Sequence, residues 1–247
     1  MFFGMGRMNT WMIILVILLV VENLSYYIST PGALLGLVLS IPGVLIAITF
    51  HEFAHAWMAD KLGDDTPRRQ GRLNLNPLSH MDPVGIAMLL FAGFGWGKPV
   101  EINQNNFNRT VSLRKGNALV SLAGPVMNFI LAIIFSIIYA VFLVVGKTFL
   151  LTTAGGIVSS IILSIISMNV GLGVFNLIPL PPLDGSKIFL PILPHNAKSW
   201  FIEHEQTFYF IFLIIWITGI AGRLISPIIG WMTNQILGLA MTIFKIS

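Results

Sequence analysis

Two histidines and a glutamate share one helical turn at His51-Glu52-Phe53-Ala54-His55. On a helix, positions i and i+4 lie on one face, so both imidazoles can reach one metal ion. Glu52 stands beside them, where it can take a proton from water at that metal. The run that carries the motif is apolar from about Leu34 onward. Ionisable side chains cost about 2–3 kcal/mol or more each at the centre of a membrane helix. A polar helix end reaching the interface accounts for one such group and poorly for three.

Two histidines leave a metal short of ligands, because catalytic zinc takes three from the protein and one water. The 247-residue chain has no cysteine. The third ligand must therefore be His, Asp or Glu. The best candidate is Asp184, in Asn176-Leu177-Ile178-Pro179-Leu180-Pro181-Pro182-Leu183-Asp184-Gly185. The three prolines cannot continue a helix and bias their predecessors toward extended backbone. Irregular backbone at membrane depth is tolerated where it is buried in protein or lines a wet cavity. Asn128 and Asn176 also stand in apolar runs. An amide there can grip a substrate strand or an oxyanion, but hydrogen bonding between helices is the reading that the residues alone favour. His80 is better read as fixing a turn, with a ligand or proton-transfer role as the alternative.

These groups need a scaffold, and composition says which kind. The chain is 55% hydrophobic and 10% charged, with mean hydropathy +0.85. A water-soluble domain of this length cannot hide so much apolar surface. The net charge of +4 has no aromatic interleaving, so it reads as membrane topology rather than nucleic-acid binding. An all-α polytopic membrane protein is expected, with about six transmembrane helices near 9–28, 34–60, 118–146, 155–177, 206–221 and 224–244. Arg7 followed by the apolar run Trp11–Val21, with no small-residue cleavage site, predicts a retained anchor. The run from Val84 to Phe94 is too short to span. With Gly95-Trp96-Gly97-Lys98-Pro99-Val100 it predicts a re-entrant piece leading into a short strand, a β-containing segment between the second and third spans. The 95–104 stretch is a candidate edge for a substrate strand, with a plain surface hairpin as the equal alternative.

Lysine and arginine set the orientation. With a cytoplasmic N-terminus, twelve of them fall inside and only Lys147 and Arg223 outside, so both termini are expected in the cytoplasm. His51, His55 and Asp184 then all lie near cytoplasmic ends. No repeat is evident, so one domain over 1–247 is expected. Its core is about 36–190, with a polar or re-entrant insert at 60–117 and C-terminal helices at 206–244.

The combination resembles the site-2 protease family of intramembrane zinc metalloproteases. The likeness rests on His51-Glu52-x-x-His55, Gly124-Pro125-x-x-Asn128 and Asn176-x-x-Pro179-x-Pro181-x-Leu183-Asp184-Gly185. Gly71-Arg72-Leu73-x-x-Asn76-Pro77-Leu78 and Gly95–Val100 are similar to small prokaryotic-type members. The resemblance covers about 36–190. It implies one Zn2+ held by His51, His55 and Asp184, Glu52 as catalytic base, and Asn128 and Asn176 near the site in a substrate-binding or oxyanion role. It implies hydrolysis of transmembrane substrate proteins near the cytoplasmic side of a prokaryotic-type cell membrane, as in regulated intramembrane proteolysis. The peptide-binding PDZ module of many relatives has no room here, since the connection where it would sit is only about 147–154. The rival readings are a non-catalytic zinc-binding membrane scaffold and a metal or proton transporter. A transporter tends to show two related halves with paired broken helices, and only one such break is present.

Overall fold

The computed structural model describes residues 24–30, 32–92 and 96–246, together with Ile17 and Val21. The helices, in chain order, are α1 (Ala33–Lys61), α2 (Thr66–Arg69), α3 (Pro77–His80), α4 (Pro83–Ala92), α5 (Leu113–Val145), α6 (Lys147–Leu150), α7 (Thr153–Asn176), α8 (Asp184–Phe189), α9 (His195–Glu203), α10 (Glu205–Ile217) and α11 (Ile220–Ile243). Residues 24–29 are helical as well.

Among the described residues four helices are long and apolar enough to cross a membrane: α1, α5, α7 and α11. The shortest have 24 residues, about 36 Å of helix against a hydrocarbon core of about 30 Å. Of the six expected spans, these four are found among the described residues. Most of the first expected span, 9–28, lies outside the described residues. The fifth fails on length: α10 has 13 residues, about 20 Å. The apolar run 206–244 is divided at Gly219, whose φ of 71° is left-handed and open to glycine at no steric cost.

The expected β-containing segment is likewise corrected. Among the described residues there is no strand, only an isolated antiparallel bridge between Met81 and Gly97. The cause is where the donors point. Pro99 has no N–H. The N–H groups of Val100 and Asn103 are bonded to the carboxylates of Glu52 and Asp64, at 3.2 and 2.7 Å, instead of to a neighbouring strand.

Three helices, α1, α5 and α7, pack against one another and form the frame. Small residues allow the close approach. A side chain at Gly43 would stand 2.8 Å from Ser164 Oγ, and one at Gly173 would stand 3.0 Å from the Phe129 ring. Ala132, Ile162, Ile166 and Val170 form the buried centre between α5 and α7. Ile130, Ile133, Ile134, Ile137 and Ile138 are exposed on α5, as a lipid-facing surface would be. α11 packs on this pair: Ile229 meets Gly171, and Ile236 and Leu237 reach the same buried centre. That order of contacts makes α11 antiparallel to α7. Side-chain caps start two of the frame helices: Ser112 accepts from Lys115 N–H at 3.3 Å, and Thr152 from Gly155 N–H at 3.1 Å. Pro179, Pro181 and Pro182 follow the end of α7 at Asn176.

The polar insert is pinned to the end of α1 by one carboxylate. Asp64 is fully buried. It accepts from Thr66 Oγ1–H at 2.5 Å, Thr66 N–H at 3.1 Å, Asn103 N–H at 2.7 Å and Asn106 Nδ2–H at 2.9 Å. Burial raises its pKa, but these four bonds outweigh burial and hold it below the usual carboxylate value. The folded pKa is thus lower than the unfolded value of about 3.9. The stabilisation is present above the unfolded value and is lost as pH falls through the folded one. Asp64→Ala should destabilise the detergent-solubilised protein by about 3 kcal/mol at neutral pH, because it strands buried donors. Unfolding curves measured from pH 7 downward should show the gap from wild type constant at first and narrowing below about pH 4.

Candidate metal centre

α1 carries His51 and His55 one turn apart on the face that meets α5, and both are buried. The proline-rich turn after α7 brings back Asp184, also buried, at the start of α8. His51 Nε2 lies 3.0 Å from His55 Nε2 and 3.1 Å from Asp184 Oδ2; His55 Nε2 lies 3.0 Å from the same oxygen. Three atoms with lone pairs thus converge on one point. Among the described residues this is the one group of three or more His, Asp or Glu side chains that can hold a metal ion.

The donor set fits zinc. Zn–N and Zn–O bonds of about 2.0–2.2 Å in a tetrahedral array put ligand atoms roughly 3.3–3.5 Å apart, close to the separations seen. The far side of each ring fixes its tautomer. His55 Nδ1–H donates to the Val120 carbonyl at 2.7 Å, and His51 Nδ1–H donates to Asn128 Oδ1 at 2.7 Å. Each Nε2 is left with its lone pair turned inward, as metal ligation requires. The second oxygen of Asp184 faces Lys187 Nζ at 3.4 Å. Space for the group depends on Gly124. A Cβ there would stand 2.5 Å from His55 Nε2 and 2.6–2.7 Å from His51 ring atoms.

Glu52 adjoins this group on the insert side. Its Oε2 accepts from Val100 N–H, and the backbone at Gly97 passes close enough that a Cβ would stand 3.2 Å from Glu52 Cγ. The insert is braced there by Arg72, whose buried guanidinium donates to the carbonyls of Ser79 and Lys98. Lys98 N–H in turn donates to the His80 carbonyl at 2.8 Å.

The other sequence candidates fall out as follows. Asn128 is completely buried and faces the ring of His51, with its amide committed to protein partners. The Nδ2–H of Asn176, at the end of α7, donates one turn back to Leu172 O at 3.1 Å. His80 stands outside the cluster, fully buried, and bonds Asn74 O through Nε2 at 2.7 Å. Burial pushes its pKa down, and the nearby Arg72 charge adds to this. The sequence reading missed Asp64, the Val120 carbonyl and Asn169. Asn169 carries the same signal as Asn128: an amide in an apolar run.

A His-Glu-x-x-His helix set against a carboxylate inside an apolar bundle defines a class, the membrane-embedded metalloproteases. The comparisons give the family. Residues 143–219 match the family model described as peptidase family M50. Relatives that carry the name "Putative zinc metalloprotease" include the following two. YwhC of Bacillus subtilis (strain 168) is 36% identical over 202 residues, 82% of this chain and 90% of its own. Rip2 of Mycolicibacterium smegmatis is 29% identical over 198 residues, 78% of this chain and 72% of its own. No solved structure matches the chain significantly. The chain belongs to peptidase family M50, the site-2 proteases, and is a zinc metalloprotease of the membrane. Only α6 lies between α5 and α7, and no PDZ module is present there.

Proposed function

We propose that this chain hydrolyses peptide bonds of membrane-spanning substrate proteins at a site near the cytoplasmic face, working as one domain over 1–247. The observation that carries the reading is the convergence of His51 Nε2, His55 Nε2 and Asp184 Oδ2 within 3.1 Å beside Glu52. In this reading His51, His55 and Asp184 hold the zinc. Bound zinc supplies Lewis acidity, making water a nucleophile near neutral pH and polarising a carbonyl. Glu52 takes the proton from the attacking water and passes it to the leaving amine. A helical substrate hides its peptide bonds in its own hydrogen bonds, so it must unwind before it can be cut.

Charge supports the proposed side of the membrane. Lys61, Arg68, Arg69, Arg72, Lys98, Arg109, Arg114, Lys115, Lys187 and Lys198 all lie in the site-end turns of the frame helices or on the connections between them. The excess favours the cytoplasm for that end. The antiparallel course of α11 supports placing its Ile243 end on the opposite side. Moving Lys245 outward and Arg223 inward keeps the balance at twelve against two.

The test is cleavage in proteoliposomes of a single-span reporter substrate. Chelation should abolish product, and zinc added back should restore it. Product formation that survives complete metal removal would overturn the reading.

A further inference from the structure

A chain of buried amides crosses from α7 through α5 to His51. Asn169 Nδ2–H donates to Ile165 O at 2.9 Å. Asn169 Oδ1 accepts from Asn128 Nδ2–H at 2.9 Å, and the same amide nitrogen donates to Ala47 O at 3.0 Å. Asn128 Oδ1 then accepts from His51 Nδ1–H. Asn128 and Asn169 are both completely buried.

The direction of this chain is forced from its ends. A backbone carbonyl only accepts. The amide atom facing Ile165 O must therefore be nitrogen, which turns the Asn169 oxygen toward Asn128. The atom of Asn128 that faces Ala47 O and this oxygen must be nitrogen too. Its oxygen is left for His51, and an oxygen can only accept. Nδ1 of His51 must then carry the proton. If the Asn128 amide were turned over, its oxygen would face two acceptors. Its NH2 would also demand a bare Nδ1, moving the neutral ring's proton to Nε2, where no metal can bind.

We propose that Asn169 is a positioning residue for the metal: by fixing the amide of Asn128 it sets the His51 tautomer that presents Nε2. The proposal rests on His51 being a zinc ligand. It assigns to α7, which supplies none of the three converging side chains, a direct part in preparing one of them.

Two variants separate this role from simple packing. Asn169→Leu keeps the approximate shape and removes the acceptor. Asn169→Asp, kept protonated by burial, accepts from Asn128 through its C=O and donates to Ile165 through its O–H. Zinc affinity is measured by chelator competition in detergent. Outer partners of metal ligands are typically worth 10–100-fold in affinity. Asn169→Leu should weaken binding by about 10-fold or more, and Asn169→Asp should stay within about threefold of wild type. A packing role would lower the stability of both variants and leave the zinc affinity of the folded protein unchanged.

A second measurement needs no variant. Histidine 15N spectra of the metal-free wild type should show His51 Nδ1 protonated. Wild-type zinc affinity in Asn169→Leu, an Asp variant no better than Leu, or a bare Nδ1 in the metal-free protein would each overturn the proposal. The spectra read the amide polarity without zinc. The proposal can therefore fail while the zinc reading stands, whereas a wild type that binds no zinc would remove both.

Discussion

Glu52→Gln should lower the cleavage rate by about 10³-fold, in the middle of the range for general acid–base catalysis, and leave bound zinc unchanged. Gln has the shape of Glu, and its carbonyl oxygen can still accept from Val100 N–H, the partner of Glu52 Oε2. The insert therefore keeps its seat on α1. What Gln lacks is the capacity to take a proton from water and return it to the leaving amine. Glu52 is not among the three side chains that converge on the metal point, so the metal has no reason to leave. Rates with a reconstituted single-span substrate, measured beside zinc content, check both halves. Near-wild-type cleavage by the variant would remove Glu52 from its role. Lost zinc would make Glu52 part of the ligand set.

Gly124→Ala should weaken zinc binding by roughly 10–100-fold. One methyl group would enter the space against both imidazoles, with contacts of 2.5–2.7 Å to His51 and His55. Those contacts are far inside van der Waals distance, so the rings or α5 must move. α5 is held in place by Asn128 against Ala47 O and by Val120 O against His55. Overpacking of this kind costs about 1–3 kcal/mol, and 1.4 kcal/mol is tenfold in affinity. Gly36→Ala is the control, because a Cβ there meets nothing within 4 Å. It should bind zinc as wild type does. Equal affinity in both variants would show that the site is looser than these contacts require.

His51, Glu52, His55 and Asp184 were legible in the sequence because ionisable groups in apolar runs are costly and therefore few. The prolines before Asp184 marked the end of α7 for a simple reason: a ring without an N–H cannot extend a helix. The role of Gly124 was not legible, since a missing side chain carries chemistry only once its neighbours are known. Asn128 read ambiguously for a related reason. Its amide suits a substrate as well as a helix contact, and the identity of its partners, His51, Ala47 O and Asn169, is tertiary information.

The fold errors also have physical causes. The 95–104 stretch alternates at Val100, Glu101, Ile102 and Asn103 as a strand does, but two carboxylates from elsewhere, Glu52 and Asp64, take the ladder donors. Apolar composition placed a span at 206–221, and only the turn at Gly219 shows the helix there to be too short. Charge counting favours the cytoplasmic side for the site, yet it cannot orient α11. Arg223 and Lys245 stand at its two ends and exchange without changing the balance.

The central claim is that His51, His55 and Asp184 together hold one zinc ion. Elemental mass spectrometry of the protein purified in mild detergent, for wild type and Asp184→Ala, tests it most directly. The account predicts about one zinc per wild-type chain and a large loss in the variant. A zinc-free wild type after reconstitution, or full retention of zinc without Asp184, would contradict it.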